Sequence, residues 1–348
     1  MTRFGSRWGA PSPRRGIQGV LIDRCQGVCY WSMLLECLIR GKAAAVLPAG
    51  PLTNHRERPM KRNLERIGVV AKLKQDRDVH QTVKDLIAWL AARRIEAILD
   101  VEIGSHLDHP HCLPKAELPA ATQMLVVLGG DGTLLSVARL IQGRDVPILG
   151  VNLGGLGFLS EVTIEEMLPV LQQVIEGNYT IDHRMMLKAQ IFRQGTCIQE
   201  ESLLNDVVIN KSALARILTL EVRVDGDYLT TFQADGLILS TPTGSTAYSL
   251  AAGGPIIYPT LSSILLTPIC PHTLTNRPII LPVDSTVDVT LRSEQRDAYV
   301  TLDGQLGLAF LENDVAKIQK SDYTVPLIRS HFKDYFEVLR KKLKWGER

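Results

Sequence analysis

The apolar positions of residues 64–151 fall into two alternating patterns, short unbroken runs and runs with helical spacing. Unbroken runs are typical of strands buried on both faces, and they lie at residues 67–71, 124–128 and 147–151. Residues 95–101, which are mostly apolar, are predicted to form a further strand. Residues 76–93 and the residues after Thr133 instead repeat apolar side chains every three or four positions, as one face of a helix does. Because strands and helices alternate, we predict a parallel sheet with helices on both faces.

Two segments of this half depart from that alternation. Residues 102–121 are polar and proline-rich, so we predict a loop there. Thr163 and Glu166 have the spacing of a capping box, and Gly177 fits a helix end, which predicts a helix between them. Because proline removes a helical hydrogen bond, we expect either a kink at Pro169 or a helix that begins near it.

A period of two replaces the helical period from about residue 179 onward. Leu220, Val222 and Val224 alternate with polar residues, and Asp225-Gly226 then supplies a hairpin turn. We therefore predict a β-rich half built as a sandwich of layered sheets. The final stretch, residues 331–343, is predicted to be helical with one apolar side made of Phe332, Tyr335, Phe336, Leu339 and Leu343.

These changes of pattern divide the chain. We expect a Rossmann-like α/β domain over residues 60–178, a β-rich domain over residues 179–328 and a helical segment over residues 329–348. Residues 1–59 show no sustained period and carry nine Lys and Arg against three Asp and Glu. Since Met60 and the basic residues after it look like a start, we expect residues 1–59 to be a wrongly assigned extension, or a disordered or targeting tail.

Composition excludes several classes of protein. The 348 residues are 45% hydrophobic, enough for two cores, and no apolar run reaches the 18 residues that a membrane-spanning helix needs. After residue 59 the net charge is −4, and no basic stripe for nucleic acid is present. The six cysteines follow neither a disulfide nor a zinc-ribbon pattern, so we expect a cytoplasmic protein.

The most informative motif is the run Gly129-Gly130-Asp131-Gly132-Thr133, which joins a predicted strand to a predicted helix. Glycines let a backbone approach a ligand closely, and the first turn of a helix offers free N–H groups to anions. The carboxylate of Asp131 would repel a phosphate but could take a proton from a hydroxyl. This combination predicts phosphoryl transfer to an alcohol.

Three further motifs could bind a nucleotide. They are the glycine-rich residues 152–159, the pair Asn205-Asp206, and residues 235–255, where a strand enters a loop rich in hydroxyl groups. The chain has neither a P-loop nor a Gly-x-Gly-x-x-Gly fingerprint, so any nucleotide would be held in another way.

With these motifs, residues 64–343 resemble the NAD kinases, which make NADP from NAD and ATP. The resemblance rests on the Gly-Gly-Asp-Gly-Thr turn, Asn205-Asp206, residues 235–255 and residues 302–305. It implies that the C-terminal helix packs back on the α/β domain and that the site lies between the two domains. It implies that Asp131 accepts the proton of the adenosine-ribose 2′-hydroxyl. The dinucleotide would also contact Gly132, Asn205, Asp206, Arg216, Gln233, Asp235, Thr246, Ala247, Tyr248, Ser249, Leu250, Ala251 and Gln305.

The resemblance further implies ATP and NAD as substrates, Mg²⁺ or another divalent cation without a dedicated protein cage, and a homo-oligomer, either a dimer or a tetramer. Asp206 stands where many members have Glu, and Ala251 where many have Ser. Two alternatives stay open: a kinase of a lipid or another small alcohol that shares the glycine-rich turn, and a non-catalytic regulator that binds NAD(H). The polar residues 241–249 argue against a lipid substrate, and Asp131 argues against a pure binder.

Overall fold

The strands form two sheets, and the longer helices cover one end of the larger sheet. A computed structural model describes residues 56–57, 64–72, 79–212, 216–273, 275–293, 298–330 and 332–346. Its strands are β1 (Arg56–Glu57), β2 (Arg66–Ala71), β3 (Glu96–Asp100), β4 (Cys112–Leu113), β5 (Met124–Leu128), β6 (Ile148–Val151), β7 (Ile181–Arg193), β8 (Thr196–Leu203), β9 (Asp206–Lys211), β10 (Leu218–Val224), β11 (Asp227–Ala234), β12 (Gly236–Ser240), β13 (Ser263–Ile269), β14 (Ile279–Pro282), β15 (Val287–Leu291), β16 (Ala298–Leu302), β17 (Leu306–Phe310) and β18 (Val315–Ile328). Its α-helices are α1 (Val79–Ala91), α2 (Val101–His106), α3 (Leu118–Ala121), α4 (Asp131–Ile141), α5 (Ile164–Glu176), α6 (Tyr248–Ala251) and α7 (Tyr335–Leu343).

The parallel sheet predicted for the first half is present. Strands β4, β3, β2, β5 and β6 lie side by side in that order, and every pair is parallel. The apolar faces of α1 and α5 pack on one side of this sheet, and α4 packs on the other. Helices therefore cover both faces, as predicted. The predicted start of α1 and almost all of residues 1–59 lie outside the described residues.

The prediction of a loop over residues 102–121 is wrong. The segment contains α2, β4 and α3, which are too short to show a period in the sequence. Two apolar side chains, Ile103 and Leu118, are fully buried and hold these pieces against the sheet. Pro119 lies in the first turn of α3, where a missing N–H group costs little.

Helix α5 begins at its capping box and runs through Pro169. The hydroxyl of Thr163 accepts a bond from the Glu166 N–H group, and the Glu166 carboxylate accepts one from the Thr163 N–H group. The helix ends at Gly177, whose φ of 81° is in the left-handed region that glycine favours. The alternative start near Pro169 is therefore not adopted.

The β-rich half is a sandwich, as predicted. The larger sheet continues past β6 through β18, β15, β10 and β11, and β7 pairs with β18 and β8. The second sheet has the order β14-β13-β12-β9-β16-β17, and its neighbours are antiparallel. Apolar side chains from both sheets form one core between them. The hairpin at Asp225-Gly226 is also confirmed, with positive φ at both residues.

The C-terminal helix starts later than predicted. The Asp334 carboxylate accepts a bond from the Glu337 N–H group, so α7 begins at residue 335, and Phe332 lies outside it. The buried side is made by Tyr335, Val338 and Leu339. Phe336 is 55% exposed, and its ring lies 5.8 Å from that of the buried Tyr335.

Among the helices of the described residues, none has the length and apolar character needed to cross a bilayer. The domain boundaries after residues 178 and 328 remain predictions.

Candidate active site

Asp131 is the first residue of α4, and a glycine-rich loop surrounds its carboxylate. The N–H groups of Leu159 and Ser160 donate to Oδ1 at 3.1 and 3.0 Å, and the Ser160 hydroxyl donates to the same atom at 2.9 Å. The other oxygen, Oδ2, accepts one bond, from the Phe158 N–H group at 2.9 Å. The carboxylate is therefore fixed in orientation, and Oδ2 has the greater remaining capacity to accept a proton.

This arrangement requires a glycine at position 157. A Cβ atom there would overlap both Asp131 Oδ1 and Ser160 Oγ. The loop after β6 can thus approach the carboxylate only because residue 157 has no side chain.

Asn205 and Asp206 lie at the start of β9 and are held by a second carboxylate. Asp303, in the turn between β16 and β17, accepts bonds from the N–H groups of Leu204, Asn205 and Asp206 at 3.0, 2.8 and 3.1 Å. Burial and the nearby charge of Asp303 raise the pKa of Asp206 from 3.8 to about 7. Burial also raises the pKa of Asp303, although the three N–H groups oppose this shift.

The loop rich in hydroxyl groups packs directly against Asn205. A Cβ atom on Gly244 would overlap the backbone of Asn205, so the close approach again depends on glycine. The Thr241 N–H group donates to the Asn205 carbonyl at 2.9 Å, and the Thr241 hydroxyl donates to the Leu204 carbonyl at 2.6 Å. A short 3-10 helix over Gly244–Thr246 and then α6 follow this contact.

A cavity of about 280 Å³ lies where these segments meet. Its lining includes four of the predicted residues, Asn205, Asp206, Ala247 and Tyr248. Asp303 and Gly304 complete one side of it. Asp303 lies within the motif at residues 302–305 but is not among the site residues predicted from the sequence.

Gln305 joins this region to the helix that carries Asp131. Its amide group donates to the Gly132 carbonyl at 2.6 Å, and its amide oxygen accepts a bond from Arg139 at 2.6 Å. Gly132 and Gln305 also line a second cavity, of about 320 Å³, together with Lys72, Lys115 and Glu102. The described residues include no group of three or more His, Cys, Asp or Glu side chains that could hold a metal ion by themselves.

The other predicted site residues lie outside the described linings of these two cavities. Asp235 forms an ion pair with Lys211 at 2.9 Å, and Gln233, two residues earlier, is exposed. Arg216 is also exposed. Ser249 is fully buried, and its hydroxyl lies 2.9 Å from that of Thr267. This contact holds α6 against β13. Thr246, Leu250 and Ala251 are on the same short helical segments.

The raised pKa of Asp206 leads to a prediction about stability. The folded protein holds this carboxyl at a pKa of about 7, above its ordinary 3.8, so its contribution is favourable below pH 3.8 and is lost as the pH rises through 7. We expect Asp206→Asn to stabilise the protein at pH 8.5 by at most about 4 kcal/mol, because one pKa unit corresponds to about 1.4 kcal/mol.

Urea unfolding at pH 4, 6 and 8.5 measures this effect. The advantage of Asp206→Asn should shrink as the pH falls and vanish near pH 4. The exposed Glu312 provides the control, since Glu312→Gln should show no such trend. An advantage that stays constant with pH would contradict the assignment of a raised pKa to Asp206.

Two family models match the chain. Residues 32–179 match the ATP-NAD kinase N-terminal domain, and residues 204–330 match the ATP-NAD kinase C-terminal domain. The first match begins upstream of Met60. The NAD kinases of Geotalea daltonii and Geobacter sulfurreducens are each 50% identical over 285 residues, which cover 82% of this chain and 100% of each relative.

Solved structures give the same fold. Yeast NADH kinase complexed with NADH superposes with a TM-score of 0.78 at 24% identity, covering 85% of this chain and 92% of that one. An NAD kinase from Archaeoglobus fulgidus in complex with ATP gives a TM-score of 0.65 at 24% identity, covering 80% of this chain and 98% of that one. At this identity the likeness concerns the fold alone.

Proposed function

This chain belongs to the NAD kinase family, and we propose that Asp131 takes the proton from the adenosine-ribose 2′-hydroxyl as NAD is phosphorylated. The enzyme makes NADP from NAD. One observation supports the role of Asp131: four hydrogen bonds fix its carboxylate, and they leave Oδ2 with only one donor. The alternatives of a lipid kinase and a non-catalytic regulator are not favoured by the relatives.

The chemistry of the acceptor explains why a fixed carboxylate helps. A ribose hydroxyl holds its proton firmly near pH 7, so it attacks phosphorus faster when a base removes the proton as the new bond forms. Such general-base help is typically worth about 10²–10⁴-fold in rate. The proton passes from the 2′-oxygen to Oδ2, and the 2′-oxygen forms its bond to the γ-phosphorus while the bond to the ADP oxygen breaks.

NAD would lie in the cavity formed by Asn205, Asp206, Ala247 and Tyr248. Amide and carboxyl groups there can bond to ribose hydroxyls, and the 45% exposed ring of Tyr248 offers a face for a base. Because its pKa is raised to about 7, the Asp206 carboxyl can hold a proton near neutral pH, so it can donate as well as accept a hydrogen bond to a sugar. The remaining predicted contacts, including Arg216, Gln233 and Asp235, belong to this proposal.

ATP would enter the second cavity. Lys72 and Lys115 supply two positive charges there, and the first turn of α4 begins beside Gly132. The one carboxylate in the described lining is Glu102. This set suits phosphate oxygens better than a bare cation, so a divalent ion would arrive with the triphosphate and neutralise its charge.

The proposal also includes the oligomeric state and the cellular location. We expect a homo-oligomer, a dimer or a tetramer, as in other members of the family. We also expect the enzyme to work in the cytoplasm, since the cysteine pattern gives no disulfide framework.

The test is formation of NADP by the purified full-length chain. With NAD, ATP and Mg²⁺ together NADP should appear, and removing the metal with EDTA should stop its formation. Replacing NAD by NADH, and ATP by polyphosphate, would establish the preferred acceptor and donor. Tight NAD binding without NADP under every condition would instead support a non-catalytic binder, and phosphorylation of a lipid but not of NAD would support a lipid kinase.

A further inference from the structure

A cluster of buried charges lies beneath the proposed site. Asp182 and Arg184 come from β7, Arg329 follows β18, and Glu161 follows the glycine-rich loop. Asp182, Arg184 and Glu161 are 5%, 3% and 5% exposed, and the Arg329 side chain is 13% exposed. Two positive and two negative side chains balance one another, so the cluster carries no net charge.

Short contacts link the four side chains into one chain. Arg184 contacts Asp182 Oδ2 through Nε at 3.0 Å and Nη2 at 2.9 Å. The same oxygen lies 3.7 Å from Arg329 Nη1, and Arg329 Nε lies 3.0 Å from Glu161 Oε1. Each arginine therefore uses a planar guanidinium to reach two partners, which a lysine could not do in the same way.

The two ends of this row of four linked side chains contact two different parts of the site. At one end, Arg184 Nη1 donates to the Thr243 hydroxyl at 3.3 Å, next to Gly244, which packs on Asn205. At the other end, Glu161 is covalently joined to Ser160, which donates two bonds to Asp131. Lys333 secures the same end by donating to the Glu161 carbonyl at 3.0 Å.

Stabilisation of the fold does not by itself account for this cluster. Buried ion pairs lose much of their attraction to desolvation, and well-packed apolar residues often serve as well. Asp182 Oδ1 is buried with no hydrogen-bond partner, which adds a further cost. An exact geometry, by contrast, is what a network of directional bonds provides.

We propose that Glu161, Asp182, Arg184 and Arg329 form a positioning network that fixes the Asp131 loop and the Thr243 loop relative to each other. The network rests on the proposed function, because it positions the groups assigned there. Its Glu161 end sets the orientation of the base and hence kcat. Its Thr243 end sets the nucleotide loop and hence the KM for NAD.

The test separates the two ends by steady-state kinetics of NADP formation with the full-length chain. Glu161→Gln removes the charge that holds Arg329, and we expect kcat to fall roughly tenfold or more with little change in KM, since small misplacements cost large factors. Thr243→Val removes one hydroxyl and keeps its shape, and we expect KM for NAD to rise roughly tenfold with little change in kcat.

Two further variants complete the comparison. Thr243→Ser keeps a hydroxyl at position 243 and should therefore have the KM of the wild type. Arg329→Lys keeps the charge but loses the two-pronged contact, and it should lower kcat as Glu161→Gln does. Thermal melts of all variants show whether each is folded at the assay temperature.

Three results would overturn the proposal. One is an unchanged KM in folded Thr243→Val. Another is a loss of kcat and affinity in parallel, in proportion to unfolded protein. The third is failure of both Glu161→Gln and Arg329→Lys to fold, which would assign the network to stability. Asp131→Asn is run in the same assay: if it keeps full turnover, the proposed function itself fails, whatever the network variants do.

Discussion

Replacing Asp131 by asparagine should lower kcat for NADP formation by about 10²–10⁴-fold, the usual worth of a general base. The amide oxygen of asparagine can keep the bonds from Leu159 and Ser160 to Oδ1. The amide nitrogen would face the Phe158 N–H group, so that one bond is lost. Most of the loop geometry therefore survives, while the group that takes the proton does not.

The accompanying measurements make this result specific. NAD binding, followed by calorimetry, and the melting temperature should both stay close to those of the wild type. Asp227→Asn is the control, since it makes the same chemical change at an exposed carboxylate of β11 that is not among the proposed site residues. We expect this control to affect kcat far less. Near-normal turnover of Asp131→Asn would show that another group accepts the proton.

Replacing Gly157 by alanine should have the second largest effect. The new methyl group would overlap Asp131 Oδ1 and Ser160 Oγ, so either the carboxylate or the loop must shift. A misplacement of about 1 Å can cost about 10²-fold in rate, and we expect a loss of kcat on that scale. NAD affinity should change much less, because the cavity around Asn205 lies on other segments.

Gly155→Ala provides the control within the same loop. A Cβ atom on Gly155 would meet no other heavy atom within 4 Å, so this variant should keep wild-type kinetics. The comparison isolates the contact with Asp131 from any general stiffening of the loop. Equal losses in the two variants would mean that loop flexibility, and not the position of the carboxylate, controls the rate.

Local pattern was enough to predict the elements that present Asp131. The five apolar residues of β5 are all buried, and α4 begins at the first polar residue after the two glycines. The capping box of α5 was equally readable, because Thr163 and Glu166 are only three residues apart. In each case the residues that decide the structure are neighbours in sequence.

The contacts that shape the site could not be predicted, because the residues that form them are far apart in sequence. Asp131 meets Ser160 across 29 positions, and Asp303 meets Asn205 across 98. No periodicity or residue spacing in the sequence predicts such pairs. Arg184 is similar, because it ends a run of three polar residues, as an exposed segment would, and is in fact buried against Asp182. The short helices α2 and α3 were missed because four or six residues show no periodicity.

The groups around Asp131 and Asp206 fit the two roles proposed for these residues, proton acceptance and dinucleotide binding. Backbone N–H groups, which cannot titrate, hold Asp131, while the carboxyl with a pKa near 7, Asp206, lies in the cavity assigned to NAD. Dinucleotide binding should therefore change with pH near 7.

A structure of the enzyme bound to NAD and a non-hydrolysable ATP analogue tests the central claim most directly. The distance to measure joins the adenosine-ribose 2′-oxygen to the nearer carboxylate oxygen of Asp131. The account predicts direct contact through Oδ2 at about 2.6–3.2 Å, with the γ-phosphorus on the far side of the 2′-oxygen. A 2′-oxygen that contacts a different side chain, with the Asp131 carboxylate out of reach even through one water molecule, would contradict it.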